Sequence, residues 1–269
     1  MLYQKSPPPL SLRPYVECLY LWQQPKLSQS MLVGSPPSGF GALVFNLGPT
    51  YQTGLIPGNW SPTPRVFLTG QATQRYHLNL QEAIDVVGIV FRPTGLFHLL
   101  QIPLKEFTDQ RIDASLIMDQ EILEIWERLG EASSPETRIQ LLIPFLEKRL
   151  LTRGATWDVI DAIAEEIFVH KGVLSLQHLL ADYSLSTRQF QRKFQKQVGI
   201  SPKFYSKLRR FSHICSLLIR QEVIDWHEMV YLGGYFDQSH FIKDFLAFMK
   251  ENPTTYYQSP QELARLIDR

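Results

Sequence analysis

The residues best equipped for chemistry in this 269-residue chain lie in the run Ser186–Val198. On a helix advancing about 100° per residue, Phe190, Phe194 and Val198 share one face. Arg188, Arg192, Gln195 and Lys196 then share the opposite face, with Gln191 at its edge. Arginine forks onto the O6 and N7 acceptors of guanine and glutamine matches N6 and N7 of adenine, so this face could read base edges in a major groove. It could equally be a solvated helix surface. Charge alone leaves the two readings even, although between Asp182 and Glu222 there are nine Lys or Arg and no acidic residue; the helix-turn-helix context, together with those missing carboxylates, favours the first. A one-sign stretch of this kind suits the neutralisation of phosphates. The net charge of +1 conceals it: residues 1–170 carry 13 Lys/Arg against 17 Asp/Glu, and residues 171–269 carry 14 against 9.

What must position that face is an internal repeat with an offset of 51 residues, in which Ser186/Asp237, Phe190/Phe241, Phe194/Phe245, Pro202/Pro253 and Tyr205/Tyr256 pair. Each copy opens with an apolar residue, an N-cap, three further residues and a Phe. In the first, Ser186 caps, Gln189 completes a capping box and Leu185 is expected to staple onto Phe190; in the second, Asp237 caps and Phe236 is expected to staple onto Phe241. Short helices are expected before them, over Leu176–Tyr183 and Trp226–Leu232, with turns at Ser184 and at Gly233-Gly234. Helix, short turn and second helix make a helix-turn-helix unit.

The second long helix, Asp237–Met249, should bury Phe241, Phe245 and Phe248 and turn Gln238, Ser239, Ile242 and Lys243 outward. Asp244 beside Lys243 makes that face less basic, and His240 could meet a phosphate or serve as a buried or capping group. A connecting helix over Ser201–Ile219, with Phe204, Leu208, Phe211, Cys215 and Leu218 at helical spacing, would set the units apart. Two recognition helices could then enter successive major-groove turns, roughly 34 Å apart, on one face of the duplex.

Upstream the texture differs. Short apolar runs, Val16–Trp22, Phe40–Phe45, Val66–Leu68 and Ile84–Phe91, are separated by Pro and Gly and read as strands. After Arg92-Pro93 the periodicity turns helical over Gly95–Leu100, Gln120–Leu129 and Ser134–Leu151. The expected fold class is α+β. A β-rich, barrel-like unit with closing helices (1–152) precedes an all-α unit of two helix-turn-helices joined by a long helix (158–269).

The segments Leu185-Ser-Thr-Arg-Gln-Phe-Gln-Arg-Lys-Phe194, Val198-Gly-Ile-Ser-Pro202, Gly234-Tyr-Phe-Asp-Gln-Ser-His-Phe241 and Pro253-Thr-Thr-Tyr256 resemble the AraC/XylS family of bacterial transcriptional regulators across about residues 158–260. The resemblance implies base contacts from Arg188, Gln191 and Arg192, and from Gln238, Ser239, Ile242 and Lys243. It implies double-stranded DNA as partner and an N-terminal effector-binding or dimerisation domain, and so admits a small-molecule effector, a homodimer and contact with RNA polymerase. Leu12-Arg-Pro-Tyr15, Leu43-Val-Phe-Asn-Leu-Gly48, Phe67-Leu-Thr-Gly-Gln71 and Gly88-Ile-Val-Phe-Arg-Pro93 look like the β-rich domain of one subgroup. The chain departs from the family pattern at Leu180 and Val230, where Ala is usual, at Ser184, where Gly is usual, and at Lys250-Glu251-Asn252, which lacks a Gly.

Other functions find less support. An apolar fraction of 44% speaks against disorder. Cys18 and Cys215 stand in no metal-ligand or disulfide spacing, and with no apolar leader or membrane-length run the expectation is a reducing, cytoplasmic setting. No cofactor, metal site or catalytic constellation is expected: His77 and His98 form no H-x-H pair that would make a small-barrel enzyme. A DNA-alkylation-repair protein would need an activated thiolate, and Cys18 lies in an apolar run. Arg92, between a strand and Pro93, could clamp a ligand carboxylate; pairing with an internal acid or capping the next helix is favoured. Trp22, Phe45, Trp60 and Phe91 read as core rather than as pocket lining.

Overall fold

Ile84–Phe91 is an almost unbroken apolar run, as a strand covered on both faces requires. The computed structural model, which describes residues 1–27, 29–181, 186–221 and 223–259, puts it in that position. Among those residues the strands are β1 (Leu2–Ser6), β2 (Val16–Gln24), β3 (Met31–Ser35), β4 (Gly41–Asn46), β5 (Gln52–Gly54), β6 (Ser61–Pro62), β7 (Val66–Thr69), β8 (Tyr76–Leu80), β9 (Ile84–Phe91) and β10 (Arg111–Asp113). An antiparallel six-stranded sheet has the order β1-β2-β9-β4-β7-β10, and a second has the order β3-β8-β5-β6.

The period-two alternation of β9 decides which layer each residue joins. Val87, Ile89 and Phe91 enter one core with Leu19, Leu21, Leu43 and Phe45, covered by helices. Ile84 and Val86 point the other way and meet Trp22, Val44 and Phe67, with Leu78 and Leu80 contributed by the second sheet. Gly88 faces Tyr20 across the pair, and a Cβ there would fall 2.3 Å from the Tyr20 ring, so only glycine leaves the ring its place. The two sheets thus pack face to face, and the closed barrel that many short strands allow does not form among the described residues.

The helical cover consists of α1 (Gly95–Leu100), α2 (Glu121–Glu131) and α3 (Pro135–Thr152). Ile122, Ile125 and Leu129 bury one stripe of α2. Ser134 caps α3, its hydroxyl accepting from the Thr137 amide at 3.2 Å, and Pro135 takes the first helical position, where no amide is needed. Trp22, Phe45 and Phe91 are core, as expected, and Trp60 is partly exposed.

From Asp158 onward the chain is helical: α4 (Val159–Val169), α5 (Leu176–Ala181), α6 (Thr187–Val198), α7 (Pro202–Arg220), α8 (Trp226–Leu232), α9 (Gln238–Met249) and α10 (Pro253–Gln258). A second core gathers Ile160, Ile163 and Ile167 of α4 with the Phe residues of α6 and α9 around Leu208, Phe211 and Leu218 of α7. The repeat extends to the helix ends. α6 stops at Gly199 (φ +98°) and α9, 51 residues later, at Lys250 (φ +60°), so a lysine occupies the left-handed position where a glycine was expected. No helix among the described residues is long and apolar enough to cross a membrane.

Candidate nucleic-acid interface

Rigidity in α6 comes from its two faces being settled independently. Phe190, Phe194 and Val198 are buried, with Phe190 and Phe194 edge to face at 5.6 Å and Phe194 against Tyr205 at 5.9 Å. At its start Ser186 Oγ accepts from the Gln189 amide and Gln189 Oε1 from the Ser186 amide, both at 3.3 Å, which is the expected capping box. The expected Leu185 staple, the Ser184 turn and residues 182–183 of the preceding helix lie outside the described residues.

Arg188, Gln191, Arg192 and Lys193 are exposed on α6. The far end of the same face is only partly open. Gln195 is half-buried in a crevice of about 560 Å³ that Thr73, Lys105 and Thr108 line from the β-rich part and Ser201, Phe204 and Lys250 from the helical part. The Lys196 ammonium lies 5.5 Å above the Phe97 ring of α1, and Thr108 Oγ1 donates to the Gly199 carbonyl at 3.2 Å. Of the expected reading residues on this helix, Arg188, Gln191 and Arg192 stay together in solvent, Gln195 is half-buried towards the β-rich part, and Lys196 is exposed with its ammonium over Phe97.

The nine cations of the acid-free run are likewise divided. Lys207 pairs with Asp244 at 2.8 Å. Arg209 is only 9% exposed; its guanidinium sits between the Phe40 and Phe168 rings and donates to the Ser38 carbonyl at 2.7 Å. Arg210 lies over the Tyr235 ring and reaches the Gly234 carbonyl at 3.3 Å. Arg188, Arg192, Lys193, Lys196, Lys203 and Arg220 keep exposed positions.

In the second unit Asp225 caps α8 and Asp237 caps α9, accepting from the His240 amide at 2.7 Å. Phe241, Phe245 and Phe248 are buried, the last stacked on Phe211 at 4.5 Å. Gln238, Ser239 and Lys243 are exposed and Ile242 is partly so. Two sequence expectations fail here. Phe236 does not staple onto Phe241; it is 93% exposed, because Tyr235 takes the place against Phe241 at 5.3 Å. Asp244 does not weaken the basic outer face, because its carboxylate turns inward to Lys207 and is buried. His240 is exposed, edge-on to Tyr235 at 5.2 Å.

The sequence also did not reveal how the two parts meet. Arg92 Nε donates to Glu165 Oε2 at 3.0 Å and Nη2 reaches Oε1, while Nη1 meets Glu17 at 2.9 Å and the guanidinium lies over Phe168. The internal-acid reading of Arg92 therefore holds, with the main acid on α4. Buried Asp161 of α4 contacts His98 Nε2 at 2.7 Å and accepts from the Thr94 hydroxyl, and its other oxygen accepts from the Asp158 amide at 2.6 Å. Burial pushes this carboxyl up, but the hydrogen bonds from His98, Thr94 and Asp158 outweigh it and hold it below the ordinary carboxylate range. Arg75 adds an ion pair to Glu251. Burial raises the Cys18 thiol to about 11, only partly offset by Lys5, which keeps it protonated at neutral pH.

Residues 4–113 match the family described as a domain of unknown function, DUF6597, and residues 179–259 match the family described as a helix-turn-helix domain, HTH_18. No curated protein matches the chain. Similar solved structures include ToxT from Vibrio cholerae (12% identity, 96% of this chain and 98% of that one, TM-score 0.46) and an apo form of a ToxT variant from the same organism (14%, 89% and 96%, 0.48). The AraC-like transcriptional activator CuxR is also similar (9%, 99% and 93%, 0.32).

Proposed function

We propose that this chain is a DNA-binding transcription regulator of the AraC/XylS type in which α6 leads sequence-specific reading of a major groove and α9 enters the next groove segment of the same duplex face. The observation that carries this reading is the solvent-facing cluster Arg188, Gln191 and Arg192 on a helix that is capped, packed on phenylalanines and without a carboxylate along its length. Gln238, Ser239, Ile242 and Lys243 are the corresponding contacts of α9, with Lys193 and Lys203 available to phosphates. Gln195 can join only if α6 parts from Lys105 and Thr108, whereas exposed Lys196 needs only to swing its ammonium off Phe97.

In this reading residues 1–152 form a sensing domain and residues 158–269 the DNA-binding domain. A small molecule seated in the crevice between Lys105, Thr108, Gln195 and Lys250 would touch both and could favour one arrangement over another. Selection of bound sequences from a random DNA pool with the full chain tests the first claim: two preferred blocks about one helical turn apart are expected. A single block would remove α9 from the reading, and the absence of any preferred block would remove specificity altogether. For the second claim, metabolites that raise the melting temperature should also change affinity for the selected DNA, and DNA should change theirs by the same factor. Ligands that stabilise the protein without that reciprocity would overturn the coupling.

A further inference from the structure

Among the described residues Phe236 is the most exposed large apolar side chain. Its place is fixed by the backbone on both sides. The amides of Gly233, Gly234 and Tyr235 donate back to the Met229, Tyr231 and Val230 carbonyls, all at 3.0 Å. Tyr235 is wedged between His240 and Phe241, and Asp237 caps the helix that follows. Gly234 takes φ +60°, the left-handed conformation that favours glycine, and a Cβ there would fall 2.9 Å from Val173. A phenyl ring is therefore held in water directly before the first turn of α9, next to exposed Gln238 and Ser239.

The chemistry of the two units differs accordingly. The outer face of α6 offers Arg188, Gln191 and Arg192, all hydrogen-bonding groups; that of α9 offers Gln238, Ser239 and one cation, Lys243, beside partly exposed Ile242, and its carboxylate is turned inward. The N-terminal end of a recognition helix is the part that approaches base edges. The apolar feature in a major groove is the C5-methyl group of thymine, and Phe is a side chain that can contact it. We propose that Phe236 is a specificity-determining residue that packs against a thymine methyl at the α9 end of the site, so that the second unit adds the reading of a methyl group to the hydrogen bonds of Gln238 and Ser239. The inference rests on α9 being a groove helix, as proposed above.

Replacing each thymine of the selected duplex in turn by deoxyuridine removes the methyl and nothing else. Against the full chain, one such replacement in the α9 half should weaken binding about fourfold, the worth of one buried methyl-sized group. Phe236→Ala should bind the unmodified duplex about as the unaltered protein binds that modified one, and should be indifferent to the replacement. Because the side chain lies in solvent, its melting temperature should not change. If both proteins respond alike to every thymine replacement, Phe236 does not read a methyl and the proposal is overturned. Ser239→Ala and Lys243→Ala distinguish the two levels of failure: if they weaken binding while Phe236→Ala changes nothing, only this inference falls. If neither they nor Phe236→Ala has any effect, α9 is not on the DNA.

Discussion

Arg192 and Arg209 carry the same side chain in the same acid-free run, yet one stands in solvent and the other is stacked between Phe40 and Phe168. Substitution should separate them. Arg192→Ala removes a fork that can hold guanine, worth about 1–3 kcal/mol of discrimination, and should relax preference at one base position with melting unchanged. Arg209→Ala loses the bond to the Ser38 carbonyl and the packing of its stem, and should lower stability by about 1–3 kcal/mol. Equal melting temperatures for the two variants would contradict this division. His213 of α7 gives the pH counterpart. Burial lowers its pKa from 6.5 to about 4, with Lys171, Arg209 and Arg220 adding to the effect. The unfolded chain then takes up a proton that the folded chain refuses, so stability falls as pH drops from about 6.5 towards 4 and this contribution levels off below. A His213→Asn chain should lack that part of the slope in denaturant titrations; an unchanged slope would assign it elsewhere.

At the scale of elements, the 51-residue repeat shows what a pattern of types can and cannot carry. Lys250 holds the left-handed conformation that Gly199 holds in the first copy, and a non-glycine residue there costs about 1 kcal/mol. Lys250→Gly should therefore stabilise the protein by up to about 1 kcal/mol, read as a higher denaturant midpoint at constant slope; a lower midpoint would mean that its bond to the Ala247 carbonyl matters more than the strain. Helix starts were legible because caps are local: Ser134, Asp158, Ser186, Ser201 and Asp237 all cap by accepting a backbone amide two or three residues ahead. Strands β2, β4, β7 and β9 were legible from apolar runs, whereas β1, β3, β5 and β8 are partly exposed and carry little hydrophobic signal. Phe236 misled because the staple rule knows only that an apolar residue precedes the cap. It cannot know that Tyr235, one position earlier, already fills the space against Phe241.

The whole molecule is held by contacts between residues 63 to 176 positions apart, such as His98 with Asp161 and Arg75 with Glu251, which is why no window of sequence announced them. These contacts are unequal. The pairs of Arg92 and Arg75 are partly exposed, worth about 0–1 kcal/mol each. Asp161 is buried, and Asp161→Ala would strand His98, the Thr94 hydroxyl and the Asp158 amide at a cost of about 1–3 kcal/mol. Its carboxyl is held low in the fold, so its stabilisation is complete above the unfolded carboxylate value and is lost as pH falls through the lower folded one. The weaker contacts bear on function, because Lys196, though exposed, lies over Phe97, and drawing its ammonium onto a phosphate would draw it off that ring. DNA and the β-rich part then compete for the end of α6. Glu165→Ala with Thr108→Ala removes two anchors of the docked arrangement while leaving every residue of the exposed α6 face in place. The double variant should bind the selected DNA a few-fold more tightly, and its affinity should fall with salt more steeply by about one ion as Lys196 joins the phosphates. Unchanged affinity and an unchanged salt slope would mean that α6 binds DNA without leaving Phe97, and that the contact between the two parts sets their orientation instead of rationing access to the helix.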